Sequence, residues 1–189
     1  LICTGSSPTR PPIPGVDGDK VVDSTGILEL EELPSSLVVI GGGIIGCEFA
    51  CMYASVGVPV TVLEATPEIC PNLDGDVAKV LREELAKKGV DFKLNTKVES
   101  IDRKSVSFAN AEGTASLEGD LVLVATGRTP NVKGLGLEEL GLDIDPRGGV
   151  RVDDRGATNV PGLWAAGDVT GQAWLAHAAS RMAEVVVHN

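Results

Sequence analysis

The chain has 189 residues, of which 43% are hydrophobic, 23% charged and 3% aromatic. That balance supports a sizeable core and excludes a disordered or collagen-like chain. With 16 basic and 27 acidic side chains the formal charge is −11, which repels phosphate backbones and argues against nucleic acid as a partner.

In chain order, Leu1 to Ser6 reads as a strand closing in a Thr-Gly-Ser turn. Pro8, Pro11, Pro12 and Pro14 then forbid a helix or a central strand, so this stretch is expected to be a linker. Leu37 to Ile40 is a continuous apolar strand of the kind buried on both faces, which predicts a parallel sheet. A buried helix is expected over Ile44 to Val56, stopped by Gly57, and a second strand over Val60 to Glu64. Strand, helix, strand is a right-handed crossover unit. Asp76 to Lys88 reads as an amphipathic helix with Val77, Val80, Leu81 and Leu85 inward, capped by Asp74 or Asp76 and stopped by Gly89.

Short strands at Asp91 to Leu94, Lys97 to Ile101 and Ser105 to Phe108 suggest a small antiparallel meander interrupting the parallel sheet, which resumes with Asp120 to Ala125. A stretch rich in Gly, Asp and Leu follows from Asn131 to Gly149, with a domain junction expected near Pro146 to Val152 and a last helix from Leu175. The fold class is therefore α/β, a Rossmann-like doubly wound parallel sheet with an antiparallel meander. No apolar run approaches the roughly 20 residues of a membrane-spanning helix, so no membrane partner is expected. No leader pattern opens the chain, which reads as cytoplasmic. It begins on Leu1-Ile2-Cys3 and stops at His188-Asn189 inside an apolar pattern, as a segment of a longer protein would.

The chemistry is concentrated in Gly41-x-Gly43-x-x-Gly46, directly after a buried strand and opening a helix. In that context the first glycine permits a tight turn, the second admits a pyrophosphate to the backbone and the third allows close packing, while the helix N-terminus stabilises the anion. Glu64, ending the next strand, is placed to accept hydrogen bonds from the adenosine ribose of NAD, and a 2′-phosphate there would set two anions against each other.

The other reactive residue types read more plainly. Cys3, Cys47, Cys51 and Cys70 match no zinc spacing, so no metal site is expected. Cys47 and Cys51 are expected to be buried small hydrophobes and Cys70 an incidental thiol. His177 is expected on a helix surface. Lys79, Arg82, Glu83, Glu84, Lys87 and Lys88 read as a solvated helix face.

Three motifs, Gly41-Gly42-Gly43-Ile44-Ile45-Gly46-Cys47-Glu48, Ala125-Thr126-Gly127-Arg128-Thr129-Pro130-Asn131 and Ala166-Gly167-Asp168, together resemble the pyridine nucleotide-disulfide oxidoreductases, over essentially the whole chain. The branch most resembled is that of dihydrolipoamide dehydrogenase. Cys3-Thr4-Gly5-Ser6 with Pro8 is similar to the family's Ala-Thr-Gly-Ser motif, with Cys3 in place of the usual alanine. The resemblance implies an NAD site in which Gly41, Gly42, Gly43, Ile44, Ile45, Gly46, Cys47 and Glu48 cradle the pyrophosphate and nicotinamide. In it Glu64 would hold the ribose, and Val98 and Gly127 would line the adenine and nicotinamide sides. Ile44 departs from glutathione-type reductases, which have a gating tyrosine there.

The resemblance also implies pieces of an FAD site: Thr4, Gly5 and Ser6, Asp168 at the ribityl chain, and Trp174, Leu175, Ala176 and His177 facing the ring. On this basis residues 1–33 would end an FAD domain, 34–148 form the NAD-binding domain and 149–189 return to the FAD domain. The family's FAD fingerprint, redox-active Cys-x-x-x-x-Cys pair and C-terminal interface domain are absent from the sequence, so no catalytic residue is assigned and the segment alone is expected to be inactive. The implied partners are a dithiol or disulfide substrate, small or carried on a lipoyl domain, a second subunit in a homodimer and a 2-oxo acid dehydrogenase complex. Mercuric reductase, glutathione-type reductase and NADH oxidase share the motifs, and a non-catalytic NAD-binding module shares the binding residues.

Overall fold

Every residue of the run Leu37-Val38-Val39-Ile40 is buried, which requires cover on both faces of the sheet it joins. The computed structural model, which describes residues 1–188, provides that cover. Its strands are β1 (Ser6–Pro8), β2 (Val21–Val22), β3 (Leu37–Ile40), β4 (Val60–Leu63) and β5 (Val90–Lys93), then β6 (Lys97–Asp102), β7 (Ser105–Asn110), β8 (Gly113–Glu118), β9 (Leu121–Val124) and β10 (Arg128–Pro130). The helices are α1 (Ile44–Ser55), α2 (Gly75–Lys87) and α3 (Ala176–His188). Two compact units result, residues 8–127 and residues 1–7 with 128–189.

In residues 8–127 a five-stranded parallel sheet runs in the order β2-β9-β3-β4-β5. Leu37 pairs with Val60 on one side and Leu121 on the other, and Ile40 with Leu63 and Val124. Leu37, Val39, Val62, Leu121 and Leu123 pack on the helix side against Cys47, Ala50, Tyr53, Ala78 and Leu85. Val38, Ile40, Leu63, Val122 and Val124 pack on the opposite side against Val98, Ile101, Val106 and Phe108. The antiparallel sheet β6-β7-β8 is therefore a separate layer over the second face rather than a break within the first sheet.

Three local expectations need correction. In α2, Ala78 and Leu85 are buried and Leu81 packs beside them, whereas Val77 and Val80 are 57% and 58% exposed. The stripe is turned because the small Ala78 fits against the sheet. Arg82 is not on a solvated face: its Nε and Nη2 donate to the two carboxylate oxygens of Glu68 at 2.7 and 3.0 Å. The meander's third strand, β8, went unread because Gly113–Glu118 is an almost wholly exposed edge with no apolar alternation. The proline-rich stretch leads into β2, a two-residue edge strand against β9.

The unit of residues 1–7 and 128–189 is built mostly of turns and single bridges, Ile2 to Ala165, Ile144 to Val150 and Ala157 to Trp164. Leu137, Leu142, Val150, Ala165 and Val169 form its small core. Val150, from the stretch where a junction was expected, belongs to this core. β1 and β10 pair with each other, and α3 has no buried residue.

Candidate nucleotide-binding site

The glycine loop joins β3 to α1 where the sheet's chain order reverses: β4 and β5 lie to one side of β3, and β9 to the other. Open parallel sheets bind ligands at such switch points, outside the carboxyl ends of the strands. The three motif glycines have different reasons to be glycine. Gly41 has φ +104, and a Cβ there would lie 2.5 Å from the Ala125 carbonyl oxygen. At Gly46 a Cβ would lie 2.0 Å from the Gly41 carbonyl oxygen, so α1 could not pack where it does. At Gly43 a Cβ would meet nothing within 4 Å, so the loop is open there.

Gly43 is also the N-cap of α1 and supplies no side-chain hydrogen bond. Cys47 makes the first helical bond, to the Gly43 carbonyl, leaving the amides of Ile44, Ile45 and Gly46 outside the ladder. α2 is the internal contrast, since its N-cap Asp74 accepts from the Asp76 amide at 3.1 Å. An acidic cap occupies the place an anion would take; α1 leaves that place open.

Glu64 follows β4 and is 7% exposed. Its Oε2 accepts the Gly42 amide at 2.6 Å, and its Oε1 lies 2.8 Å from both the amide and the hydroxyl of Thr66. A carboxylate has about four acceptor positions, so these contacts orient it and leave room for one further donor, such as a ribose hydroxyl. The adjoining cleft, about 690 Å³, is lined by Gly41, Glu64 and Val98 among the expected residues. Gly42, Gly46 and Cys47 are buried, Gly43 and Ile45 partly so, and Ile44, Glu48 and Gly127 are exposed.

Pro12, Ile13, Ala65, Thr96 and Thr126 also line the cleft and were not assigned from sequence. Thr126 lies inside the 125–131 motif, and Ile13 is an apolar residue whose signal the flanking prolines mask; Pro12, Ala65 and Thr96 carry none. Cys70, read as incidental, is buried with φ +47 and donates its amide to the Gly42 carbonyl at 2.8 Å. Burial raises the thiol pKa of both Cys47 and Cys70.

A second constellation forms within residues 1–7 and 128–189. The Ser6 hydroxyl donates to Asp168 Oδ2 at 2.6 Å and accepts from Arg128 Nε at 2.6 Å, while Arg128 Nη2 donates to the Ser6 carbonyl at 2.7 Å. Thr4 and Asn131 exchange hydrogen bonds, hydroxyl to carbonyl at 2.6 Å and side-chain amide to carbonyl at 2.9 Å, and the Gly5 carbonyl accepts the Asn131 amide. Three separated motifs thus meet through Thr4, Gly5, Ser6, Arg128, Asn131 and Asp168. Trp174, Leu175, Ala176 and His177 are exposed, and among the described residues no hydrogen bond joins Trp174 or His177 to this network.

The family model for pyridine nucleotide-disulphide oxidoreductase matches residues 1–183. The chain belongs to this family. It is 46% identical over 187 residues to dihydrolipoyl dehydrogenase 3 of Pseudomonas putida, covering 95% of this chain and 40% of that protein. To dihydrolipoyl dehydrogenase of Bacillus subtilis it is 39% identical over 181 residues, covering 95% and 39%. The solved structure of the HOCl-induced flavoprotein disulfide reductase RclA from Escherichia coli superposes with a TM-score of 0.87 at 39% identity, covering 97% of this chain and 42% of that one. The chain thus spans about two fifths of the length of these relatives. Among the described residues no helix is long and apolar enough to cross a membrane, and no group of three His, Cys, Asp or Glu side chains is placed to hold a metal ion.

Proposed function

We propose that residues 8–127 bind NAD(H) and that residues 1–7 with 128–189 help hold FAD, in a protein that oxidises a dithiol with NAD as acceptor, of the dihydrolipoamide dehydrogenase type. The observation that carries the reading is the start of α1. There an open Gly43 N-cap and unladdered amides are followed, one strand on, by a carboxylate with acceptor capacity to spare.

In this reading the α1 amides and the positive end of its dipole hold the pyrophosphate. Glu64, fixed by Gly42 and Thr66, accepts from the adenosine ribose, and the apolar side of the cleft around Ile40, Leu63 and Val98 receives the adenine. Ser6 holds the Asp168 carboxylate in one orientation and Arg128 balances its charge, so Asp168 would be the residue to accept from a flavin ribityl hydroxyl. The flavin, when bound, carries the hydride exchange with the nicotinamide. The overall conversion takes a dithiol and NAD⁺ to a disulfide, NADH and a proton. In this reading residues 1–188 bind and orient, and no step of the thiol exchange is assigned to them. A homodimer in the cytoplasm, serving a lipoyl-bearing 2-oxo acid dehydrogenase complex, completes the reading; the names of the relatives support its dihydrolipoyl dithiol substrate alone.

Gly43→Val tests it. The new side chain has space in the fold but fills the pyrophosphate's approach, so calorimetric titration with NADH should show affinity falling at least about tenfold, while the protein stays folded and its thermal midpoint falls only by the few degrees that a poorer N-cap residue costs. Unchanged NADH affinity would contradict the assignment.

A further inference from the structure

Cys47 and Cys70 converge on the Gly42 carbonyl. It accepts the Cys70 amide at 2.8 Å and the Cys47 thiol at 3.4 Å, and the two sulfurs are 3.9 Å apart. Cys47 and Cys70 are 4% and 2% exposed. Cys70 holds φ +47, a left-handed conformation that a non-glycine residue keeps only where its surroundings fix it, and its carbonyl closes a turn with the Leu73 amide at 2.8 Å. Gly42's own amide is the donor to Glu64 Oε2. Both backbone groups of one loop glycine are therefore tied to this thiol pair or to the ribose carboxylate.

We propose that Cys47 and Cys70 form a reversible disulfide that weakens nucleotide binding at the glycine loop. The effect on binding rests on the nucleotide reading above; the pairing of the thiols does not.

The oxidant is a hydroperoxide. The Cys70 thiol loses its proton and its sulfur bonds to the terminal peroxide oxygen; the O–O bond breaks and the remainder leaves as an alcohol, or as water from hydrogen peroxide. The Cys47 sulfur then attacks the Cys70 sulfur, the S–S bond forms, the S–O bond breaks, and water departs with the Cys47 proton. In sum, two thiols and one hydroperoxide give a disulfide, an alcohol and water. Cys70 is assigned as the first thiol to react because its S–H is directed at the Cys47 sulfur with which it pairs, whereas the Cys47 S–H is held by the Gly42 carbonyl. Closure brings the sulfurs from 3.9 Å to about 2.0 Å. It removes the Cys47 donor from the Gly42 carbonyl and draws Cys70 toward the first turn of α1, moving the loop that presents the anion site. A dithiol reductant reverses the change.

The test treats the purified protein with hydrogen peroxide, alkylates the remaining thiols, digests without reductant and identifies the peptides by mass. NADH affinity is titrated before oxidation, after it and after dithiothreitol. A Cys47–Cys70 cross-linked peptide is expected, with NADH affinity about tenfold weaker in the oxidised protein and restored by dithiothreitol. In Cys70→Ser, compared with its own untreated form, peroxide should leave NADH affinity unchanged. No cross-link in protein that remains folded, or a cross-link with unaltered affinity, overturns the proposal. If the reduced protein fails to bind NADH, the nucleotide reading falls and the regulatory half with it, while the cross-linked peptide still decides the thiol pairing.

Discussion

The two units hold together by different means. Residues 8–127 enclose a sheet whose central strands are covered on both faces, by α1 and α2 on one side and the meander on the other. Residues 1–7 and 128–189 have one small apolar cluster, and much of their order comes from turns in which a carboxylate gathers backbone amides. Asp145 Oδ1 accepts from Arg147 and Gly149, and Asp153 Oδ1 from Arg155 and Ala157. The first unit can therefore present a rigid, open helix N-terminus, while the second places its polar residues by hydrogen bonds and leaves α3 without a buried side chain. Layered apolar cover and local polar bonding differ in energy per residue, and that difference can be measured.

The largest effect is expected in the sheet. Leu123, fully buried on β9, should cost about 3 kcal/mol when replaced by alanine, because its methyl groups leave a cavity between close-packed layers. Val187→Ala on α3, at a position 78% exposed, should change stability by less than about 0.5 kcal/mol. Urea denaturation of both variants makes the comparison, and equal losses would break it.

A smaller effect is expected at the start of α2. Asp74→Ala removes the acceptor for the Asp76 amide and should cost about 1 kcal/mol by the same measurement. NADH affinity should not change, because α2 is the capped helix and α1 the open one.

Smaller still is the response to acid. Asp120 lies at about 2, below its ordinary 3.8, chiefly through the Lys104 ammonium and then the Ser35 amide. Glu68 is lowered chiefly by its hydrogen bonds from Arg82, and Asp145 chiefly by the Gly149 amide. A carboxylate whose folded pKa is depressed contributes stability that is complete above its unfolded value and is lost as the pH falls through the folded value. Stability from these groups should therefore be level from pH 7 to about 5 and decline from about 4.5 toward 2. Lys104→Met should return the Asp120 pKa toward 3.8, as followed by carboxyl-carbon NMR.

What was legible in the sequence follows the same division. The buried strands, the glycine loop and the helix stops were readable because each answers to a local rule: apolar continuity at Leu37–Ile40, positive φ at Gly57 and Gly89, close approach at Gly46. Thr4, Ser6, Arg128, Asn131 and Asp168 could be matched to motifs, but their mutual bonds span distances along the chain that no local pattern encodes. The turned face of α2 and the pairing of Cys47 with Cys70 were hidden for a related reason: each depends on which neighbour a side chain meets across the fold.

The central claim, that the open end of α1 and the oriented Glu64 form a site for an unphosphorylated dinucleotide, is tested most directly by titrating the purified, reduced protein with NADH and with NADPH, alongside Glu64→Arg. A 2′-phosphate would remove a ribose donor and bring a second anion to a carboxylate that is already buried, so NADH should bind about tenfold to a hundredfold more tightly. Glu64→Arg should narrow or reverse that gap. Equal or tighter binding of NADPH by the unaltered protein would contradict the account.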